Sequence, residues 1–152
     1  MSLALLAILA TAAAPGMSAF LQRGGTDAAA RSLVRSIAQA RNLALQQGRG
    51  VTLRLAQSVA QGCGSGSGSG SVSVAWALQA SNAAGSTEAL ECLSAADMAS
   101  RWGVSLSVGS ASTLRFNATG LADNTATLDV TFTRGSRSVV VRIYPGGTAR
   151  VL

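Results

Sequence analysis

Residues 27–47, DAAARSLVRSIAQARNLALQQ, and the segment that follows them, Val51-Thr52-Leu53-Arg54-Leu55, decide the fold. In the first stretch Leu33, Ile37, Ala40 and Ala44 recur at i, i+4, i+7 and i+11, which is one apolar stripe on a helix. Arg31 and Arg35 stand four apart on the other side. Thr26 or Asp27 can cap the start and Gly48 can end it. The small residues Ala40 and Ala44 let a sheet come close. In the second stretch Val51, Leu53 and Leu55 alternate with Thr52 and Arg54, the period of a strand with one buried face. The change of period predicts a helix whose stripe covers a sheet.

Alternation continues toward the C-terminus. Val72, Val74, Trp76 and Leu78 share one face, with Trp76 expected in the core. Residues 80–100 read as an irregular connection. Residues 103–108 and 113–117 are further strands, the second closed by Ala118-Thr119-Gly120. Leu128, Val130 and Phe132 alternate, Arg134-Gly135-Ser136-Arg137 turns a hairpin, residues 139–144 return, and Pro145-Gly146-Gly147 turns into a short strand at 149–152. Six or seven antiparallel strands after a helix give the α+β class. Between the first two strands lies GCGSGSGSGS, residues 62–71, a flexible low-complexity loop. It has no Gly-Lys-Ser/Thr ending, so it is not a nucleotide-binding loop.

Upstream, residues 1–21 read MSLALLAILATAAAPGMSAFL, with no charge before Arg23. This run has no polar face and is just long enough to span a bilayer as a helix. Pro15 and Gly16 predict a kink or local melting, and Gly24-Gly25 is a second possible break. The positive n-region of a secretory signal is missing, although Ala12, Ala13 and Ala14 could serve a signal peptidase. The expected division is residues 1–25 as a hydrophobic membrane or filament-core helix and residues 26–152 as a globular head.

Composition restricts the chemistry. The 152 residues suit a single core; 48% are hydrophobic and 12% charged. All twelve cations are Arg, against six acids, for a formal charge of +6. Arg suits phosphate recognition, while the plainer reading is a solvated surface. The chain has no His, which removes the commonest general base and metal ligand. Glu88 and Glu91 are the only close carboxylates and read as a solvated turn. No catalytic residues, cofactor or metal are expected, and the chain reads as a non-enzyme. Cys63 and Cys92 lack zinc or redox spacing. In an exported protein they would pair and staple the Gly/Ser loop; in the cytosol they would be two buried thiols.

The N-terminal pattern Leu5-Leu6-Ala7-Ile8-Leu9-Ala10 leading to Ala14-Pro15 resembles the apolar helix of type IV pilins and type II secretion pseudopilins. Further blocks resemble the FimT/GspH group of that family. These are Ala40-Arg41-Asn42-Leu43-Ala44, then Val51-Thr52-Leu53, Trp76 after Cys63, and the run Leu114-Arg115-Phe116-Asn117-Ala118-Thr119-Gly120. The tail is Gly147-Thr148-Ala149-Arg150-Val151. The family's basic leader, Gly-Phe cleavage site and buried Glu are not matched, which reads as a start falling inside the helix; the resemblance implies a methylated Phe at the mature start.

The resemblance implies a long, kinked N-terminal helix whose amphipathic half packs on an antiparallel sheet. It implies a minor pilin near the filament tip that primes assembly, anchored in the bacterial inner membrane with its head in the periplasm and then moved into a pilus. Its partners would be other pilins. The Arg-rich tail of DNA-uptake pilins implies duplex DNA as a further partner in natural transformation. Here Arg150 keeps the tail's second Arg, with Arg134, Arg137 and Arg142 in the adjacent hairpin and Arg115 nearby, all able to meet phosphates without reading bases. The alternatives are a type II secretion pseudopilin of the same fold and a soluble exported β-rich binding domain.

Overall fold

The computed structural model describes residues 2–60, 71–81, 87–109 and 113–152, with the side chains of 24–57, 73–81, 87–109 and 113–152. In chain order the elements are α1 (Ser2–Gln47), β1 (Val51–Ala60), β2 (Ser71–Ser81), β3 (Thr87–Ser94) and α2 (Ala95–Trp102). β4 (Ser105–Val108), β5 (Thr113–Phe116), β6 (Leu128–Arg134), β7 (Arg137–Ile143) and β8 (Ala149–Val151) complete the head.

The helix stripe is where periodicity places it. Leu33, Ala40 and Ala44 are fully buried, with Ile37 nearly so, and the buried face widens to Ala29, Ala30 and Ser36. Arg31 and Arg35 are exposed. The helical backbone of α1 is continuous over 46 residues, roughly 69 Å at 1.5 Å per residue. Neither Pro15-Gly16 nor Gly24-Gly25 interrupts it, and a kink at the proline is compatible with that continuity. A proline in a helix removes one backbone hydrogen bond, and the turns on either side persist. Among the described residues no helix is long and apolar enough to cross a membrane. The side chains of residues 1–23, which carry the anchor reading, lie outside the described set.

The head has two sheets where one was expected. Their strand orders are β3-β2-β1-β5 and β4-β6-β7-β8, antiparallel throughout. The chain leaves the first sheet after β5 in a turn organised by Asn117. Its side-chain oxygen accepts from the backbone N–H groups of Thr119 and Leu121, each at 3.0 Å. Asn124 then donates to the carbonyl of Tyr144 at 3.0 Å, fastening the crossing to the second sheet. The α1 stripe packs against both sheets. Trp76 of β2 and Phe132 of β6 meet edge to face, with centroids 6.4 Å apart, a geometry worth about 0.5–1.5 kcal/mol beyond its buried area.

Residues 80–100 are also more ordered than expected, because they contain β3 and α2. β3 hides from a periodicity reading because its exposure does not alternate and its pairing with β2 shifts register twice. α2 carries a local signal. The Ser94 side chain accepts from the Asp97 N–H at 2.9 Å, and Gly103 closes the helix in the left-handed region.

Gly24 and Gly25 behave as opposites although both lie inside α1. A Cβ at Gly25 would stand 2.5 Å from the Trp102 carbonyl oxygen and 2.6 Å from Arg134 Nη1, whereas one at Gly24 meets nothing within 4 Å. Gly24→Ala should therefore stabilise the head by up to about 1 kcal/mol from helix propensity alone. Gly25→Ala should destabilise it by about 1–3 kcal/mol, because a backbone oxygen cannot move aside. Thermal unfolding of the two variants tests the sign of each.

Candidate functional site

The arginines expected to form one basic surface are divided by the pleat. Along β6, Leu128, Val130 and Phe132 face the core and Arg134 shares their parity. Along β7, Val139, Val141 and Ile143 face the core and Arg137 shares theirs. Arg142 and Arg150 have the opposite parity and lie paired on the outer face. Arg137 and Arg142 are also separated by roughly 17 Å along the strand, at about 3.3 Å per residue.

Each arginine has its own setting. Arg134 wedges between α1 and the end of α2: a Cβ at Gly25 would meet its Nη1 at 2.6 Å, and one at Gly103 would meet its Nε at 3.0 Å. Arg137 lies 3.9 Å from Asp27 of α1. Arg142 donates from Nε and Nη2 to the two carboxylate oxygens of Asp129 at 2.8 and 2.9 Å. Those two residues are directly opposite in the β6–β7 register, and Arg150 is opposite Arg142 on its other side. Arg115, expected beside the hairpin, belongs to β5 in the other sheet. It lies diagonally across from Arg54, whose alternation in β1 marks it only as a polar position of a strand.

The remaining candidates are structural or undescribed. Glu91 accepts from the buried Ser36 hydroxyl at 3.1 Å, which ties β3 to α1. Among the described residues no group of three His, Cys, Asp or Glu could hold a metal ion. Cys92 is half-buried on β3 and is not a free thiol; Cys63 lies outside the described residues. The backbone at Pro15 and Gly16 is helical, and their side chains are likewise outside the described set. The quoted sequence blocks meet one another. Gly120 sits against Arg41 and Leu45 of α1, where a Cβ would be 2.9 Å from Leu45 Cγ, and Gly147 sits against Phe116 and Ala122. Both glycines have positive φ.

The fork-to-fork contact sets the charge state of the cross-strand pair. The hydrogen bond from Arg142, aided by its positive charge, holds the Asp129 carboxyl below the usual value of 3.8, against a smaller opposing effect of desolvation. The same contact raises Arg142. A carboxylate with a depressed folded pKa contributes stability that is complete above its unfolded value and is lost as pH falls through the folded one. Asp129→Asn should therefore flatten the acid limb of Tm against pH below about pH 4. A mutant curve with the wild-type slope there would show that the pair does not contribute.

The GspH family, described as type II transport protein, matches residues 29–147. Two crystal structures of the type IV minor pilin FimU from Pseudomonas aeruginosa share the fold. The form in space group P21 aligns at a TM-score of 0.58 and 16% identity, covering 88% of this chain and 92% of that one. The form in space group P65 gives 0.55 and 16%, covering 83% and 91%. No curated protein matches. The family match extends from the buried face of α1 through β1 to β7 and the turn at Gly147, and the chain belongs to the GspH family of pilins and pseudopilins.

Proposed function

We propose that this chain is a FimT-like minor pilin of a type IV pilus, a structural subunit that helps begin assembly near the filament tip. The observation that carries the reading is the continuous helix. α1 is helical from Ser2, and the first side chains known to be buried against the head are Thr26, Ala29 and Ala30. That leaves an uncharged helical segment ahead of Arg23. In this reading residues 1–25 hold the protein in the inner membrane, with the head in the periplasm, and then pack against the helices of other pilins. Residues 26–152 act as one head. The fold likeness to FimU supports a pilus. The family description supports the second reading, a type II secretion pseudopilin.

Duplex capture through the hairpin and tail draws little support from the geometry. Arg134 is wedged into packing, Arg137 faces Asp27, and Arg142 is held by Asp129. Among the four only Arg150 lacks a partner within the described residues, and one cation neutralises about one phosphate.

Deleting the gene in its host separates the two filament readings. The expected outcome is loss of surface pili with protein secretion intact. Loss of secretion with normal pili would replace the first reading by the second, and normal pili with normal secretion would overturn both.

The same export places the cysteines in an oxidising compartment, and a Cys63–Cys92 disulfide is part of the proposal. It would close a loop of about 30 residues, worth on the order of 3–4 kcal/mol in the loop-entropy account. Alkylation of the exported protein without reductant should leave both cysteines unlabelled; labelling of both would remove the disulfide from the account.

A further inference from the structure

We propose that a groove on the outer face of the first sheet receives an acidic segment of a neighbouring subunit; that the occupant is a subunit rests on the filament reading above. In β1 the residues Val51, Leu53 and Leu55 turn inward, so Thr52 and Arg54 turn outward. The register places Gln79 of β2 and Arg115 of β5 on either side of Thr52, one row across three strands. With Arg54 beside the row and Ser81 and Thr87 at one end, they line a groove of about 340 Å³.

The lining is rich in donors and contains no carboxylate. Among the described residues neither Arg54 nor Arg115 has an ion-pair partner. Arg54 Nε, like Arg137 Nε, is buried without a hydrogen-bond acceptor among the described residues, an arrangement native structures rarely leave uncompensated; of the two, Arg137 already has an acid beside it, Asp27. The contrast lies on the same protein: Arg142 presents Nε and Nη2 side-on to Asp129 and is satisfied at both. A carboxylate entering the groove and engaging Arg54 in that way supplies the missing acceptor, with Arg115 and Gln79 as further donors.

The shape favours a protein carboxylate over nucleic acid. The two guanidinium groups flank one depression instead of standing along a ridge that could follow a duplex backbone. Phe116, the aromatic residue lining the groove, is 1% exposed and gives no face on which a base could stack. Two further polar grooves, one along α1 between Gly24 and Arg35 and one beside β5, already contain their own acids, Asp27 and Asp123.

The test uses the full chain in detergent, labelled with 15N-arginine, and follows the Arg Nε–H signals by NMR. The probes are a short peptide alternating Glu and Asp, inorganic phosphate and a short DNA duplex. The peptide should shift the Arg54 signal, and Arg54→Gln combined with Arg115→Gln should weaken peptide affinity by about tenfold or more, read by titration calorimetry because that variant carries no Arg54 signal. Arg115→Gln alone, at an exposed side chain, gives the same direction if the double variant does not fold. No shift with the peptide overturns the proposal. So does phosphate shifting the same signals at equal concentration, which means a simple anion site. Duplex binding that outcompetes the peptide and is lost in these variants overturns it in favour of nucleic acid. Because binding is measured on the isolated chain, this result stands apart from the deletion experiment on which the filament reading depends.

Discussion

The two sheets of the head share no hydrogen-bonded strands among the described residues, so the structure depends on what is packed between them. That role falls to the buried face of α1, whose Ala29, Ala30, Leu33, Ile37, Ala40 and Ala44 meet both sheets. Small residues at four of these six positions let the backbone of the helix approach closely, and the volume is filled from the other side by Trp76, Phe116 and Phe132. The helix that would anchor a filament subunit is thus also the element without which the head loses its core.

That dependence explains the placement of Arg134. Where α1 passes the end of α2, Gly25 brings backbone within reach of the Trp102 carbonyl, and the Arg134 side chain lies in the same junction. A long cationic side chain there covers apolar surface with its stem. Arg134 is partly buried, which disfavours use of its charge on a large polyanion. Charge alone does not distinguish such a residue from a solvated one; the strand's parity and the neighbouring glycine do.

Much of the head was legible in the sequence because its signals are periodic. The stripe from Leu33 to Ala44, the inward Val51, Leu53 and Leu55, the buried Trp76 and the β6–β7 hairpin all appear where their spacing puts them. The division into two sheets was not legible, since alternation says which face of a strand is buried and not which strand lies beside it. β3 was missed because it does not alternate. α2 was missed although Ser94, Asp97 and Gly103 mark both its ends. The sequence blocks that carried the family resemblance were read correctly as a set, yet Gly120 and Gly147 are points of close packing with positive φ. At these glycines the blocks report how closely the fold is packed.

The arginines show why a net charge of +6 says little about a site. Parity sends Arg134 and Arg137 toward α1 and Arg142 and Arg150 to the outer face. Register gives Arg142 a carboxylate directly across the ladder, where the geometry is bidentate. The same rules acting on β1 and β5 bring Arg54 and Arg115 to one groove with no acid in register. Asp123, which follows β5, is occupied instead as acceptor of the Arg115 backbone N–H at 3.0 Å. Strand pairing therefore decides which of the sheet arginines meet an acid, and the two that share one groove without an acid in register lie on the first sheet, not beside the Arg-containing tail.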